Sequence, residues 1–510
     1  MNTKNQAQFD FLPQSNSDFV REVFEFCGSV DENLPFPDRF GRCLYQWIRE
    51  NSSRKIRTLS LFSGAGGLDI GFRDCGFEIV NHVEIDGRFA ASLKANSEYF
   101  GDADVTVVDV RDFVPKNGPI DFVIGGPPCQ TFSAAGRRAS GVQGVDDPRG
   151  TLFEEYIRVL KAVRPKGFLF ENVYGIVGAQ GGVAWHAILK AFAELGYDIS
   201  HRILDAADYG TPQHRERLII VGSLKSEFNF PAPTHGPDSP CCRPFFCAAE
   251  ALKGVSVSAE ESEQPLNGRY GHLLTAVPPG LNYSFFTKEM AHPNPIFAWR
   301  SKFSDFLYKA DPEKPVRALK AQGGQYTGPF HWDSRPFAVS ELKRLQTFPD
   351  DYRIVGGRQV GIHQIGNSVP PQFSRILALA VRAQVFGLPI PCHLPLISSH
   401  YKLGFRNRKR QLTEEYAEKA RVHLIKNTVS KIPHANGVKY SYEASLTRDF
   451  EWVVGGRLSE ALRMNVVVDT RGKEWLFSVD CSGDKIGSSA KSVGELRLWE
   501  FSKRMEKSDL

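Results

Sequence analysis

Between residues 56 and 225 the chain repeats one pattern: short apolar runs of strand length alternate with longer mixed stretches of helical spacing. Thr58 to Phe62, Phe77 to Val83, Asp121 to Ile124, Gly167 to Phe170 and Leu218 to Val221 read as strands. Leu68 to Cys75, closed by Gly76, reads as a helix, as do Leu152 to Val163 and Trp185 to Leu195. Such alternation predicts an α/β fold with a doubly wound, mostly parallel sheet. Open sheets of this kind bind ligands at the carboxyl ends of their strands, so residues there are the first candidates for chemistry.

Outside that block the patterning changes. Phe19 to Glu50 has helical apolar spacing, with Cys43, Leu44, Trp47 and Ile48 on one face. After Ser223 the chain becomes rich in Pro, Gly and aromatics with little periodicity, and strong patterning returns at Val339 to Tyr352. From about Pro391 it changes again; Val453 to Asp480 reads as mixed strand and helix. These shifts divide the chain into 1–55, a helical extension; 56–224, a first α/β part; 225–334, an irregular insert; 335–390, a closing part; and 391–510, a C-terminal α+β extension. A chain of 510 residues, 42% hydrophobic and 24% charged, can build such cores. Nine scattered cysteines are too few and too unevenly placed for a disulfide framework, which fits a reducing cytosol. No signal peptide or membrane span is expected.

The first strand runs into Phe62-Ser63-Gly64-Ala65-Gly66-Gly67 and a helix. Glycines there let backbone approach a ligand closely, and the helix start offers free amides. A pyrophosphate loop would want a third glycine at position 69, where this chain has Asp69, expected to repel phosphate. Seventeen residues past Gly67, Glu84 stands at the tip of the second strand, placed to accept from both ribose hydroxyls. Asp109 ends the next strand and could accept from an adenine amino group. The set suits a nucleoside without phosphates, with S-adenosylmethionine the obvious candidate. Taken singly, a glycine-rich turn after a strand is often just a turn, and an acid such as Glu84 is more often a solvated surface residue.

The strand ending at Ile124 leads into Gly125-Gly126-Pro127-Pro128-Cys129-Gln130-Thr131-Phe132-Ser133, a rigid corner with a thiol just beyond it. A carboxylate, Glu171, stands at the tip of the next strand in Phe170-Glu171-Asn172-Val173. Gln213-His214-Arg215-Glu216-Arg217 then places two arginines two apart, on one face of an extended segment.

These segments resemble the DNA cytosine-5 methyltransferase family. The resemblance rests on the turn from Phe62 to Gly67, Pro127-Pro128-Cys129-Gln130, Asp147-Pro148-Arg149-Gly150, Glu171-Asn172-Val173 and Gln213 to Arg217. Arg344-Leu345-Gln346-Thr347-Phe348-Pro349-Asp350 and Gly366-Asn367-Ser368-Val369-Pro370-Pro371 complete it, in the family's order, over roughly 56–225 and 335–385. It implies the Rossmann-like fold of S-adenosylmethionine-dependent methyltransferases and a methyl transfer to carbon-5 of a cytosine flipped from duplex DNA. Cys129 would be the nucleophile, Glu171 the group that holds a proton at the ring, Arg215 a clamp on the base carbonyl or thiol, and Arg217 an orienting residue. Phe62, Gly64, Ala65, Gly66, Gly67, Glu84, Asp109, Pro127, Asn367 and Ser368 would bind the cofactor, the segment from Gly366 packing back on the first turn. DNA contacts would come from Gln130, Ser133 and Arg149.

The insert at 225–334 would be the target-recognition domain, with Arg243, Arg269, Arg300 and Lys302 as candidate DNA contacts. The neighbouring Phe285 and Phe286 read as core. Cys241, Cys242 and Cys247 with His235 fit no standard zinc spacing, so no metal is expected. Residues 401 to 431 carry nine Lys or Arg against three Glu, which fits either DNA backbone contact or a solvated linker helix. The family context implies a bacterial, cytoplasmic, monomeric enzyme, with a cognate restriction endonuclease as a candidate partner. The alternatives are a tRNA cytosine-5 methyltransferase and a catalytically silent DNA-binding protein of the same fold.

Overall fold

The structure is a computed structural model. It describes residues 18–26, 33–116, 118–128, 152–176, 183–225, 227–290, 292, 295–300, 304–398 and 401–426, and the backbone of five strands between 441 and 490. The chain divides into two compact units. One comprises the residues up to Gly271 together with Ala310–Phe405, the other His272–Lys309 together with the residues from Arg406 onward.

The first unit is built on a seven-stranded sheet: β1 (Ile56–Leu61), β2 (Phe77–Glu84), β3 (Asp104–Val107), β4 (Phe122–Gly125), β5 (Gly167–Val173), β6 (Asp198–Asp205) and β7 (Glu216–Ser223). Their order is β3-β2-β1-β4-β5-β7-β6. The first five strands pair in parallel, and β7 runs antiparallel to both of its neighbours. The doubly wound, mostly parallel sheet expected from the sequence is therefore present. Strand order reverses between β1 and β4, which opens a crevice at their carboxyl ends. The two segments that follow those strands, from Phe62 and from Gly126, are the ones that carry the cofactor and thiol motifs.

The central strands β1, β4, β5 and β7 are largely buried on both faces, as strands covered by helices on each side are. Alternate residues serve different cores. Phe122, Ile124 and Leu169 face a core shared with helices α1 (Phe19–Phe26), α2 (Phe36–Asn51), α3 (Gly67–Asp74) and α9 (Pro371–Phe386). Val123, Phe168 and Phe170 face the opposite core, under α5 (Leu152–Val163) and α6 (Val183–Ala193). Between these lie α4 (Gly87–Ala95), α7 (Val339–Leu345) and α8 (Arg358–Asn367). Helix ends follow local chemistry. Pro37 and Pro371 sit in first turns, where no amide donor is needed, and Gly387 stops α9 in the left-handed region at φ 63°.

The N-terminal helices, which the sequence left without a role, are part of the catalytic core. Phe19, Val20, Val23, Phe40, Leu44 and Ile48 are buried in it. Each such side chain contributes about 1.5–3 kcal/mol. Arg375 of α9 is sealed there, 1% exposed, donating to Asp74 Oδ2 at 2.8 Å and to the Pro37 carbonyl at 2.7 Å. Gly41 is required at this crossing, since a Cβ would lie 2.4 Å from an Arg375 nitrogen. Asp74→Ala leaves that guanidinium buried without its charge partner. Denaturant melts should show a loss of about 3–5 kcal/mol.

In the second unit, α10 (Phe405–Lys426), from Arg406 onward, precedes an antiparallel meander of five sequential strands. These are β8 (Ser441–Leu446), β9 (Glu451–Arg457), β10 (Arg463–Asp469), β11 (Trp475–Cys481) and β12 (Asp484–Ala490). The sequence reading of 453 to 480 as mixed strand and helix is corrected: its described residues are all strand. The β-branched pair Val453-Val454 and triplet Val466-Val467-Val468 explain why, since such side chains favour a pleated surface over a helix. Among the described residues no helix is long and apolar enough to cross a membrane.

Candidate active site

The turn after β1 is held in shape from two sides. Phe62, Gly64 and Gly66 have positive φ, 55°, 56° and 82°. Gly66 and Gly67 face inward. A Cβ on Gly66 would stand 2.9 Å from Leu93 and from the Tyr352 hydroxyl, and one on Gly67 only 2.3 Å from the Val369 carbonyl. Gly64 instead faces open space, with nothing within 4 Å of its would-be Cβ. Its amide donates to Glu84 Oε2 at 2.7 Å, while Oε1 accepts from the Asp86 amide at 2.9 Å. Glu84 is 8% exposed, and burial pushes its carboxyl up, the Asp86 and Gly64 amides pulling it partly back. A carboxylate has about four acceptor sites, so the backbone amides around Glu84 leave it some acceptor capacity.

The closing segment packs on this turn, as the resemblance implied. Tyr352 Oη donates to the Ala65 carbonyl at 2.8 Å, and Ser374 Oγ to the Leu68 carbonyl at 2.8 Å. Asn367, the last residue of α8, is exposed, and Ser368 beside it is buried, its hydroxyl donating to the Gln364 carbonyl at 2.8 Å. Asp109 caps the short turn Val110–Asp112 and pairs with Arg111 at 2.6 Å, which holds its carboxyl below the usual range. That carboxylate is thus already shared with a cation.

The expected role of Asp69 is corrected. It does not face the turn as a phosphate-repelling charge. It points into the core, fully buried, 3.0 Å from His82 Nδ1. Beside it, Val369, Ser368 and Phe348 crowd Gly67 and leave no room there for a Cβ. A Gly67→Ala variant should therefore weaken both cofactor binding and thermal stability, by about 1–3 kcal/mol in melting experiments.

At the carboxyl end of β4, Gly126-Pro127-Pro128 leads directly to Cys129. Cys129, Gln130, Ser133, Arg149 and Lys302 lie outside the described residues. The corner before the thiol is clamped to β5. Asn172 Nδ2 donates to the Pro127 carbonyl at 3.1 Å. Glu171 leans over Gly126, where a Cβ would stand 2.6 Å from its Oε2. The other oxygen, Oε1, is 2.6 Å from Arg217 Nε. Arg217 reaches it from β7, because the antiparallel register sets Val173 opposite Arg217. The carboxylate is thus charge-balanced beside the Gly126-Pro127-Pro128 corner.

Arg215, two residues earlier, is sealed from solvent at 2% exposed. Its guanidinium donates to the Gly366 carbonyl at 2.8 Å and the Leu319 carbonyl at 3.4 Å, and Nε has no hydrogen-bond partner among the described residues. Burial, then the neighbouring Arg217, pushes its pKa down. Arginine nonetheless stays charged, so the Nε–H is a buried donor in want of an acceptor. Gly366 must lie close: a Cβ there would meet Ala321 N at 2.4 Å.

Sequence reasoning did not single out the glutamines that join these parts. Gln213 Nε2 donates to Gln346 Oε1 at 2.5 Å, Gln346 donates to the Ser368 carbonyl, and Gln213 Oε1 accepts from the Leu319 amide at 3.0 Å. Both are fully buried. The available signal was their place inside two recognised motifs, far apart in sequence.

Of the candidate DNA contacts, Arg243 is engaged with Asp18 at 2.6 Å. Arg269 is exposed, its guanidinium 5.2 Å from the Tyr270 ring centre. Arg300 is exposed in the second unit, its backbone held by the Tyr283 hydroxyl. Phe285 and Phe286 are core, 4% exposed each. His235 is buried against Phe36, which pushes its pKa down to about 3, and Thr234 bonds its Nδ1. Among the described residues no group of three or more His, Cys, Asp or Glu could hold a metal.

The family model of C-5 cytosine-specific DNA methylases matches residues 56–382. The Type II methyltransferase M.SacI of Streptomyces achromogenes is 32% identical over 369 residues, covering 65% of this chain and 94% of that protein. The Type II methyltransferase M.NgoFVII of Neisseria gonorrhoeae is 31% identical over 389 residues, covering 75% and 96%. With the switch-point crevice, the inward-packed glycine turn and the Glu171–Arg217 pair beside the Pro-Pro corner all inside the matched span, the chain belongs to the C-5 cytosine-specific DNA methylase family and is a DNA cytosine-5 methyltransferase.

Proposed function

We propose that this enzyme moves a methyl group from S-adenosylmethionine to carbon-5 of a flipped cytosine within one short duplex DNA sequence, through a covalent adduct on Cys129. The observation that carries the reading is the Glu171 carboxylate, aimed by Arg217 and leaning over the corner that delivers Cys129. The residues at the other end of the crevice fit the donor. Gly64 leaves open space, and Glu84 keeps acceptor capacity for ribose hydroxyls. S-adenosylmethionine supplies the electrophilic sulfonium methyl.

Carbon-5 of cytosine is a poor nucleophile. Addition of the Cys129 thiolate to carbon-6 makes the ring enamine-like, so carbon-5 can attack an electrophile. Glu171 holds a proton at the ring nitrogen and exocyclic amine, offsetting the charge that develops there. Arg217 keeps that carboxylate in place, and the Arg215 Nε–H offers a donor at the site. Loss of the carbon-5 proton to a base then lets the electron pair return to the ring and expel Cys129. Phe62, Ala65, Pro127, Asp109, Asn367 and Ser368 complete the cofactor cradle. Residues 225–334, with Arg269 and Arg300, read the target. The relatives are named Type II methyltransferases, which supports a cognate endonuclease acting on the same sequence as a partner, in a bacterial cytoplasm.

Purified protein incubated with plasmid and S-adenosylmethionine, then read by bisulfite sequencing, should show modified cytosines confined to one recurring motif. An unmodified plasmid alongside normal cofactor binding would overturn the reading. The state of Glu84 adds a pH test. Its carboxyl titrates above the usual range, and protonation removes acceptor capacity. Cofactor affinity, measured by calorimetry, should fall as pH drops through that raised value, and Glu84→Gln should flatten the dependence.

A further inference from the structure

The family match stops at residue 382, and α10 lies beyond it. Yet α10 shares a compact unit with His272–Lys309, a stretch from the middle of the insert. Its apolar stripe is the reason. Tyr416 and Ala420 are buried at 6% and 0%, and Leu412 and His423 are half-buried. Positions 412, 416, 420 and 423 share one helical face. That face meets the insert directly. The Tyr416 ring covers Gly280 so closely that a Cβ would stand 2.1 Å from its Cε1, and Gly280 also has φ 88°. The His423 ring centre is 5.8 Å from that of Phe285, which packs with Phe286. The interface is a fitted one, built from glycine, rings and a buried alanine.

The charge on α10 is equally one-sided in kind. It carries seven basic and three acidic residues, a net of +4, where the whole chain has +5. Four of the seven fall in its opening run, Arg406-Asn407-Arg408-Lys409-Arg410. Such a density matches a polyanion with closely spaced phosphates.

We propose that α10 belongs to the target-recognition machinery. Residues 272–309 and α10 form one DNA-reading body, in which the Tyr416 face holds the insert in shape and the basic opening run binds the phosphate backbone of duplex DNA. This rests on the reading of the chain as a duplex-DNA methyltransferase that recognises its target through the insert.

Full-length wild type is compared with Tyr416→Ala, Tyr416→Phe and the combined Arg406→Gln, Arg408→Gln, Lys409→Gln, Arg410→Gln protein. Duplex affinity is measured over a salt series, plasmid methylation by sequencing, and cofactor binding by calorimetry. The fourfold variant should bind duplex at least about tenfold more weakly, and its log–log salt slope should be shallower by about 0.9 for each phosphate no longer neutralised. Its target sequence should not change, because phosphate binding carries no sequence information. Tyr416→Ala should extend methylation to sites differing from the target at one position, and Tyr416→Phe should restore wild-type choice. Unchanged cofactor binding reports an intact catalytic unit throughout. A fourfold variant with wild-type affinity and slope, or Tyr416→Ala with wild-type site choice, overturns the inference. A wild type that modifies no duplex DNA overturns the underlying reading and this inference with it.

Discussion

Cys129→Ser should abolish methyl transfer, with turnover lower by at least about 10⁴-fold, the scale on which losing a covalent nucleophile acts. The hydroxyl is a far weaker nucleophile than a thiolate near neutral pH, so carbon-6 stays unattacked and carbon-5 stays inert. Cofactor binding should not change, since replacing one side-chain sulfur by oxygen leaves the Gly64 turn, Glu84 and Pro127 as they are. Two readouts test this. Single-turnover transfer of labelled methyl to plasmid should vanish, and calorimetric affinity for S-adenosylmethionine should match wild type. Normal turnover in the serine variant would end the covalent mechanism.

Glu171→Gln should lower the methyl-transfer rate by about 10²- to 10⁴-fold, the usual range for a positioned proton-transfer group. The amide keeps the shape beside Gly126 but cannot hold an exchangeable acidic proton at the ring. Arg217→Ala should act through the same carboxylate. It removes the 2.6 Å partner of a group that is 12% exposed in its side chain, so Glu171 loses both its aim and its charge balance. The two changes share one pathway, so the double variant should be little worse than Glu171→Gln alone. Strict additivity would show that Arg217 acts elsewhere. Duplex affinity, measured without cofactor, should stay near wild type in all three.

Most of the strand and helix pattern was legible beforehand because it is written in local chemistry. Alternating apolar runs, proline in first turns and glycine at helix ends act over a few residues, and β1, β2, β4, β5 and β7 lie within a few residues of where the patterning places them. Partners across the fold were not legible. Asp69 sits in the glycine turn's helix, and only tertiary packing turns it toward His82 and away from a ligand. Arg215 and Arg217 look alike in sequence, yet one is sealed between the Leu319 and Gly366 carbonyls and the other pairs with Glu171.

By itself the sequence determined the α/β class, the crevice-lining turn, the thiol corner and the order of the motifs, since each depends on residues close in the chain. Only the tertiary structure decided that the N-terminal helices complete the core around Arg375, and that Gln213 and Gln346 tie the arginine motif to Ser368. It also decided that α10 closes over Gly280, far earlier in the chain. Those pairings are set by shape and burial between distant surfaces, and no local periodicity encodes which surface a stripe of Tyr416 and Ala420 will meet.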